Sequence, residues 1–200
     1  MSTKEKIVQN AAKLFLTKGY NQTSLNEIAE KSGITKGGIY HHFKDKNELF
    51  VEMAEAFKSK FMTLVSKMEQ ESSLENLLKN YFENSEVLMQ EIADYLEFSM
   101  DDIKYFSEFQ SRFTLDAIQY GPKDIDFTMN TKMMYSILKK KIELAKKNGE
   151  ILEDIDSKEL SLEIIAIIEG YSNLRRLKLM NDSYDYGNRS LERLWNRIKK

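Results

Sequence analysis

Two hundred residues are enough chain to bury a sizeable core, and 42% apolar with 31% charged residues is the balance of an ordinary globular protein. The absence of cysteine excludes disulfides, thiolate metal sites and a cysteine nucleophile, and two adjacent histidines, His41 and His42, are a poor basis for a metal centre. The net charge of −2 conceals an asymmetry: residues 1–50 hold eight lysines against five acids, giving +3 and leaving −5 for the rest, so a head suited to a polyanion precedes a body that DNA would repel.

The N-terminal stretch MSTKEKIVQNAAKLF is amphipathic and contains Glu5, unlike the apolar core of a signal peptide. No apolar run approaches the roughly 20 residues that span a bilayer, so a cytoplasmic protein without a membrane partner is expected. Helix dominates the reading throughout. Ile7, Ala11, Leu14 and Phe15 share one face of a first helix over 3–18, which Gly19 ends. Ser24 with Glu27 forms a capping box opening a short second helix. Gly33 breaks that helix, and Thr35 caps a third, KGGIYHHF. Asp45 with Glu48 opens a long helix through Leu49, Phe57 and Phe61. Ser72 with Glu75 starts another to about Phe98, followed by helices over about 103–119 and 125–147, the last closed by Gly149. Asp156 with Glu159 opens a strongly apolar helix, and a final one carries Leu191, Leu194, Trp195 and Ile198. The result is an all-α chain of about nine helices, with a head over 1–50 and a larger helical domain over 51–200.

Residues 25–44 have the spacing of a helix-turn-helix. Ala29 is small where two helices cross, Gly33 supplies the turn four residues later, and Ile39, six further on, points back between the helices. The stretch LFLTKGYNQTSLNEIAEKSGITKGGIYHHFKDKNELF resembles the DNA-binding domain of the TetR family, most strongly from Ile7 to Phe57. Phe15, Gly19-Tyr20, Thr23-Ser24, Ile28-Ala29, Gly33-Ile34, Lys36-Gly37, Ile39-Tyr40, Phe43, Lys46 and Leu49 carry that resemblance. It implies a homodimeric regulator, expected to be a repressor, whose third helix enters the major groove of a palindromic operator in double-stranded DNA. Thr35, Lys36, Gly37 and Gly38 are then nearest the bases, while Ser24, Tyr40, His41 and Lys46 are the expected phosphate contacts. Tyr40 has a competing place in the core, Ser24 a competing role as a cap alone, and Lys46 on a solvated face. Gly38 departs from the threonine, serine or alanine usual in the family, which argues against a side-chain contact there.

For the larger domain the resemblance implies a pocket for an unknown small-molecule effector and a dimer interface on the last two long helices. The aromatic and methionine residues Phe82, Tyr95, Phe98, Tyr105, Phe109, Phe113 and Met133 are candidates for the pocket, with plain hydrophobic core as the alternative. The helix near 159–178 is apolar on nearly all sides, which points to Leu160, Ile164, Ile168 and Gly170 as interface, with Trp195 added by the final helix and core again the alternative. No nucleophile–base–orienter set, phosphate-cradling glycine loop or metal cluster is visible, so neither enzyme chemistry nor a cofactor is expected. A helical module that binds protein rather than DNA remains the other class of reading.

Overall fold

The computed structural model describes residues 1–97, 128–176 and 183–200, together with positions 115, 118, 119, 123, 126 and 179. Eight helices are described: α1 (Thr3–Lys18), α2 (Leu25–Ser32), α3 (Lys36–Tyr40), α4 (Lys46–Gln70), α5 (Leu74–Tyr95), α6 (Met129–Lys147), α7 (Ser157–Arg176) and α8 (Ser183–Ile198). The helix expected over about 103–119 lies outside the described residues except at positions 115, 118 and 119. The described chain forms two compact units, one of residues 1–60 and 90–127, the other of residues 61–89 and 128–200. The boundary expected near residue 50 therefore falls within α4, and α4 and α5 each contribute to both units.

Local signals start the helices. Ser2 and Glu5 form a reciprocal capping box on α1. The Asp45 carboxylate accepts from the Glu48 amide at 2.8 Å, and Glu48 reaches back to the Lys44 amide at 2.6 Å, at the start of α4. Ser73, one residue beyond the expected Ser72, caps α5 through the Asn76 amide at 3.1 Å. Asp156 accepts from the amides of Lys158 and Glu159 at the start of α7, and these bonds hold its carboxyl below the usual range.

Endings follow from glycine. Gly33 and Gly149 sit at φ +71° and +73°, where an L side chain is strained. After each, the next amide returns to a carbonyl five residues back, Ile34 to Ala29 and Glu150 to Ala145, as in a Schellman cap. α5 stops at Tyr95, three residues short of the expected Phe98, and Glu97 follows at φ +51°.

In the first unit Ile7, Ala11, Phe15, Ile28, Ile39, Leu49, Phe50 and Met53 are buried. Tyr20 joins them, with its ring 5.2 Å from Phe15 and edge-on to Phe50 at 5.0 Å. The end of α5 belongs to this unit: Gln9 donates to the Tyr95 carbonyl, and the Lys13 ammonium to that of Glu97 at 3.0 Å. In the second unit α7 packs on both α6 and α8. Its core includes Leu77, Phe82, Leu138, Ile142, Ile164 and Leu191. The chain end pairs with the α6–α7 connection, where the Leu152 amide donates to the Ile198 carbonyl at 3.0 Å and that of Lys200 to Glu150 at 3.1 Å.

Candidate nucleic-acid interface

α2 and α3 are short, so their ends rather than their length determine their direction. The Ser24 hydroxyl accepts from the Glu27 amide at 3.2 Å, and that of Thr35 from Gly38 at 3.1 Å. Behind these caps Ala29 and Ile39 are buried, and Ile39 also anchors the exit of α3 by accepting from His42 and Phe43. α3 ends at Tyr40, with His41 and His42 in the following turn, one turn shorter than the expected KGGIYHHF helix. Two glycines among five helical residues leave the backbone little intrinsic helix preference, so the Thr35 cap and Ile39 burial hold the turn.

This arrangement leaves the polar residues outward. Ser24, Thr35, Lys36, Gly37 and His41 are exposed, Gly38 is partly so, and Tyr40 is 50% exposed. Such exposure rules out the core reading of Tyr40 within this chain. The lysines separate into two groups. Lys4 pairs with Glu52 at 2.8 Å and Lys18 with Glu27. Lys6, Lys31, Lys36 and Lys44 are exposed, and among the described residues none of them pairs with an acid. Positive charge is thus left on α1, α2 and α3 and in the turn after α3.

Lys46 is placed differently. It is half-buried, and its ammonium donates to the carbonyls of Tyr20 at 2.9 Å and Thr23 at 3.0 Å. It also lies 4.4 Å from the centre of the Tyr20 ring. Burial pushes its pKa down. Burial also raises that of the Tyr20 phenol, with Asp45 adding to the effect, and the phenol donates to Asn47. These partners lie 26 and 23 residues away in the chain, and no local spacing announces them.

The residues singled out in the larger domain lie mostly inside it. Leu160, Ile164, Ile168 and Trp195 are buried within the single chain, so their burial needs no second copy; only Gly170 is exposed. Among the described residues, no atom outside its own stretch of helix comes within 4 Å of a Cβ built on Gly170, so none of them makes the close helix approach expected there. Phe82 is sealed at 1% exposure, and a Cβ on Gly187 would stand 2.6 Å from its ring. That places Phe82 in the core. Met133 lines an open hollow of about 260 Å³ with Val65, Glu69, Met129, Lys132, Ser136 and Ile137. Tyr95 is half-buried, with the Lys60 ammonium 5.1 Å over its ring. Phe98, Tyr105, Phe109 and Phe113 lie outside the described residues. Among the described residues no cluster of potential metal ligands occurs, and no helix is long and apolar enough to cross a membrane.

The profile of "Bacterial regulatory proteins, tetR family" matches residues 7–53, the segment that holds the helix-turn-helix. The HTH-type transcriptional regulator AcrR of Shigella flexneri is 47% identical over 57 residues, 28% of this chain and 26% of AcrR. QacR of Staphylococcus aureus, also an HTH-type transcriptional regulator, is 43% identical over 61 residues, 30% of this chain and 32% of QacR. These matches span about a quarter to a third of each relative. The fold extends further: a Saccharomonospora viridis protein assigned as a transcriptional regulator, solved in complex with choline, superposes with a TM-score of 0.71 at 18% identity over 98% of this chain and 97% of that one. Residues 7–53 thus match the tetR family of bacterial regulatory proteins, and the likeness in fold extends along the chain.

Proposed function

We propose that the protein is a homodimeric transcriptional repressor that reads a palindromic operator with α3 and leaves it when a small hydrophobic or amphipathic effector binds. The observation that carries this reading is the solvent-facing end of α3. Thr35, Lys36, Gly37 and Tyr40 are exposed on a helix fixed from behind by Ile39 and Ala29. Lys36 supplies a cation for guanine acceptors, and the two glycines let the backbone come close to the duplex. Exposed Lys6, Lys31 and Lys44 add the sequence-independent attraction to phosphate. AcrR and QacR, which match this chain over 57 and 61 residues, are named as transcriptional regulators.

Two half-sites require two copies. The face offered to a partner is the outer side of α7, where Leu162 is 50% exposed and is followed at intervals of four by exposed Ala166 and Gly170. Among the described residues none fills the space over Gly170, which leaves room for a partner helix. The effector reading is supported by the docking of the α5 end onto Gln9 and Lys13 of α1, a contact that a rearranged α5 must alter. Ligand and DNA then weaken one another by the same factor.

A salt-dependent gel shift on DNA upstream of the chain's own reading frame tests the proposal, alongside light scattering. A shift that weakens steeply with salt and a dimeric mass are expected. Absence of binding to specific and random DNA alike would sink it. Leu162→Asp gives a folded monomer if the outer face of α7 is the interface; an unchanged dimer places the interface elsewhere.

A further inference from the structure

The ammonium of Lys46 begins from an unfavourable position. It stands on the first residue of α4, where the helix dipole presents partial positive charge, and it is partly withdrawn from water. A lysine in that setting keeps its charge when oxygen acceptors replace the lost solvent. Here they are two backbone carbonyls, those of Tyr20 and Thr23, and the face of the Tyr20 ring adds a third attraction. Two of the three ammonium N–H groups are committed to the protein itself. Tyr20, in turn, is 4% exposed and packed on Phe15 and Phe50, so the turn that Lys46 holds is anchored to the core of the first unit.

The turn ends where α2 begins. Thr23, whose carbonyl accepts from Lys46, is followed directly by Ser24, whose hydroxyl caps the Glu27 amide. The Thr23 hydroxyl is buried and donates to the Gly19 carbonyl at 2.8 Å, so the segment is gripped from both sides. We propose that Lys46 is a positioning residue rather than a phosphate contact: it clamps the Tyr20–Thr23 turn against the start of α4 and so sets the N-terminus of α2, where Ser24 faces solvent. This goes beyond the DNA-binding reading but rests on it for the consequence at the duplex. The clamp itself is testable without DNA.

The test compares wild type, Lys46→Met, Ser24→Ala and the double variant. Methionine keeps an unbranched apolar stem and removes the charge. Loss of two charge-assisted hydrogen bonds is expected to lower Tm by roughly 5 °C. Exchange of the Glu27 amide, which reads the Ser24 cap directly, accelerates. On DNA, affinity falls while the slope of log K against log salt stays at the wild-type value, and Lys46→Met and Ser24→Ala are non-additive because one acts through the other. A slope reduced by about 0.9 per subunit, with additive effects and unchanged Glu27 exchange, would overturn the proposal and return Lys46 to the phosphate backbone. If Lys46→Met does not fold, Lys46→Gln, neutral and able to donate to one carbonyl, carries the same slope and exchange measurements. If wild type binds no DNA, the regulator reading fails, and the Tm and Glu27 exchange still decide whether the clamp exists.

Discussion

The turn from α2 to α3 and the packed helices α6 to α8 hold their shape by opposite means. Residues 24–40 hold theirs through hydroxyl caps, one left-handed glycine and a small aliphatic plug of Ile28, Ala29 and Ile39, which leaves most polar side chains exposed. α6, α7 and α8 interlock through Ile142, Ile164, Ile168 and Leu191, so the residues that look most informative in the sequence are hidden. The comparison shows where chemistry can be read. An exposed polar group on a helix end with its backbone already satisfied is available to a ligand, whereas an apolar run shows only that something is buried. Four measurements break or sharpen the contrast.

The largest effect belongs to the packed region. Phe82→Ala removes a ring that is 1% exposed, and a loss of about 3–5 kcal/mol in unfolding free energy is expected from urea titration. Measured at low temperature on the folded fraction, DNA affinity stays near wild type. A loss under 1 kcal/mol would mean that the site around Phe82 is open.

Gly187→Ala approaches the same ring from the other side. The added methyl would meet Phe82 at 2.6 Å, too close without movement, and overpacking of this kind costs about 1–3 kcal/mol. The helix propensity gained by replacing glycine offsets up to about 1 kcal/mol of it. A net gain in Tm would show that α8 moves away without cost.

Gly38→Ala reverses the sign. A Cβ there lies 3.5 Å from Ile34 and from the Thr35 hydroxyl, an ordinary contact, so the helix gains up to about 1 kcal/mol against glycine. DNA affinity nevertheless falls, because the methyl keeps the backbone from the duplex. Tm and gel shift together check both halves. A variant that gains stability and binds DNA as tightly as wild type removes close backbone approach from the account of α3.

The smallest effect concerns pH. Asp156 has its carboxyl held below the usual value by the Glu159 and Lys158 amides. A lowered folded value means that the carboxylate contributes stability above about pH 4, the unfolded range, and loses it as pH falls through the folded value. The Tm difference between wild type and Asp156→Ala is therefore larger at pH 7 than near pH 3. An equal difference at both would assign the effect to hydrogen bonds that survive protonation.

Patterns confined to a few neighbouring residues were legible in the chain alone. The caps at Ser24, Thr35, Asp45 and Asp156, the stops at Gly33 and Gly149, and the Ala29–Gly33–Ile39 spacing depend on bonds three to ten residues apart, and the structure has each in place. On the short α3 that they define, Ile39 is buried while Lys36 and Tyr40 are exposed. Tertiary structure alone decided how each apolar face was used and where Lys46 points. Leu160, Ile164 and Ile168 are inward while Leu162, Ala166 and Gly170 are outward, a choice made by the packing of α6 and α8 on α7. For Lys46 the deciding partners are the carbonyls of Tyr20 and Thr23, brought to it by the folding of Tyr20 onto Phe15 and Phe50. A charge in a sequence shows that an acceptor is needed; only the folded chain determines whether that acceptor is its own backbone or a phosphate.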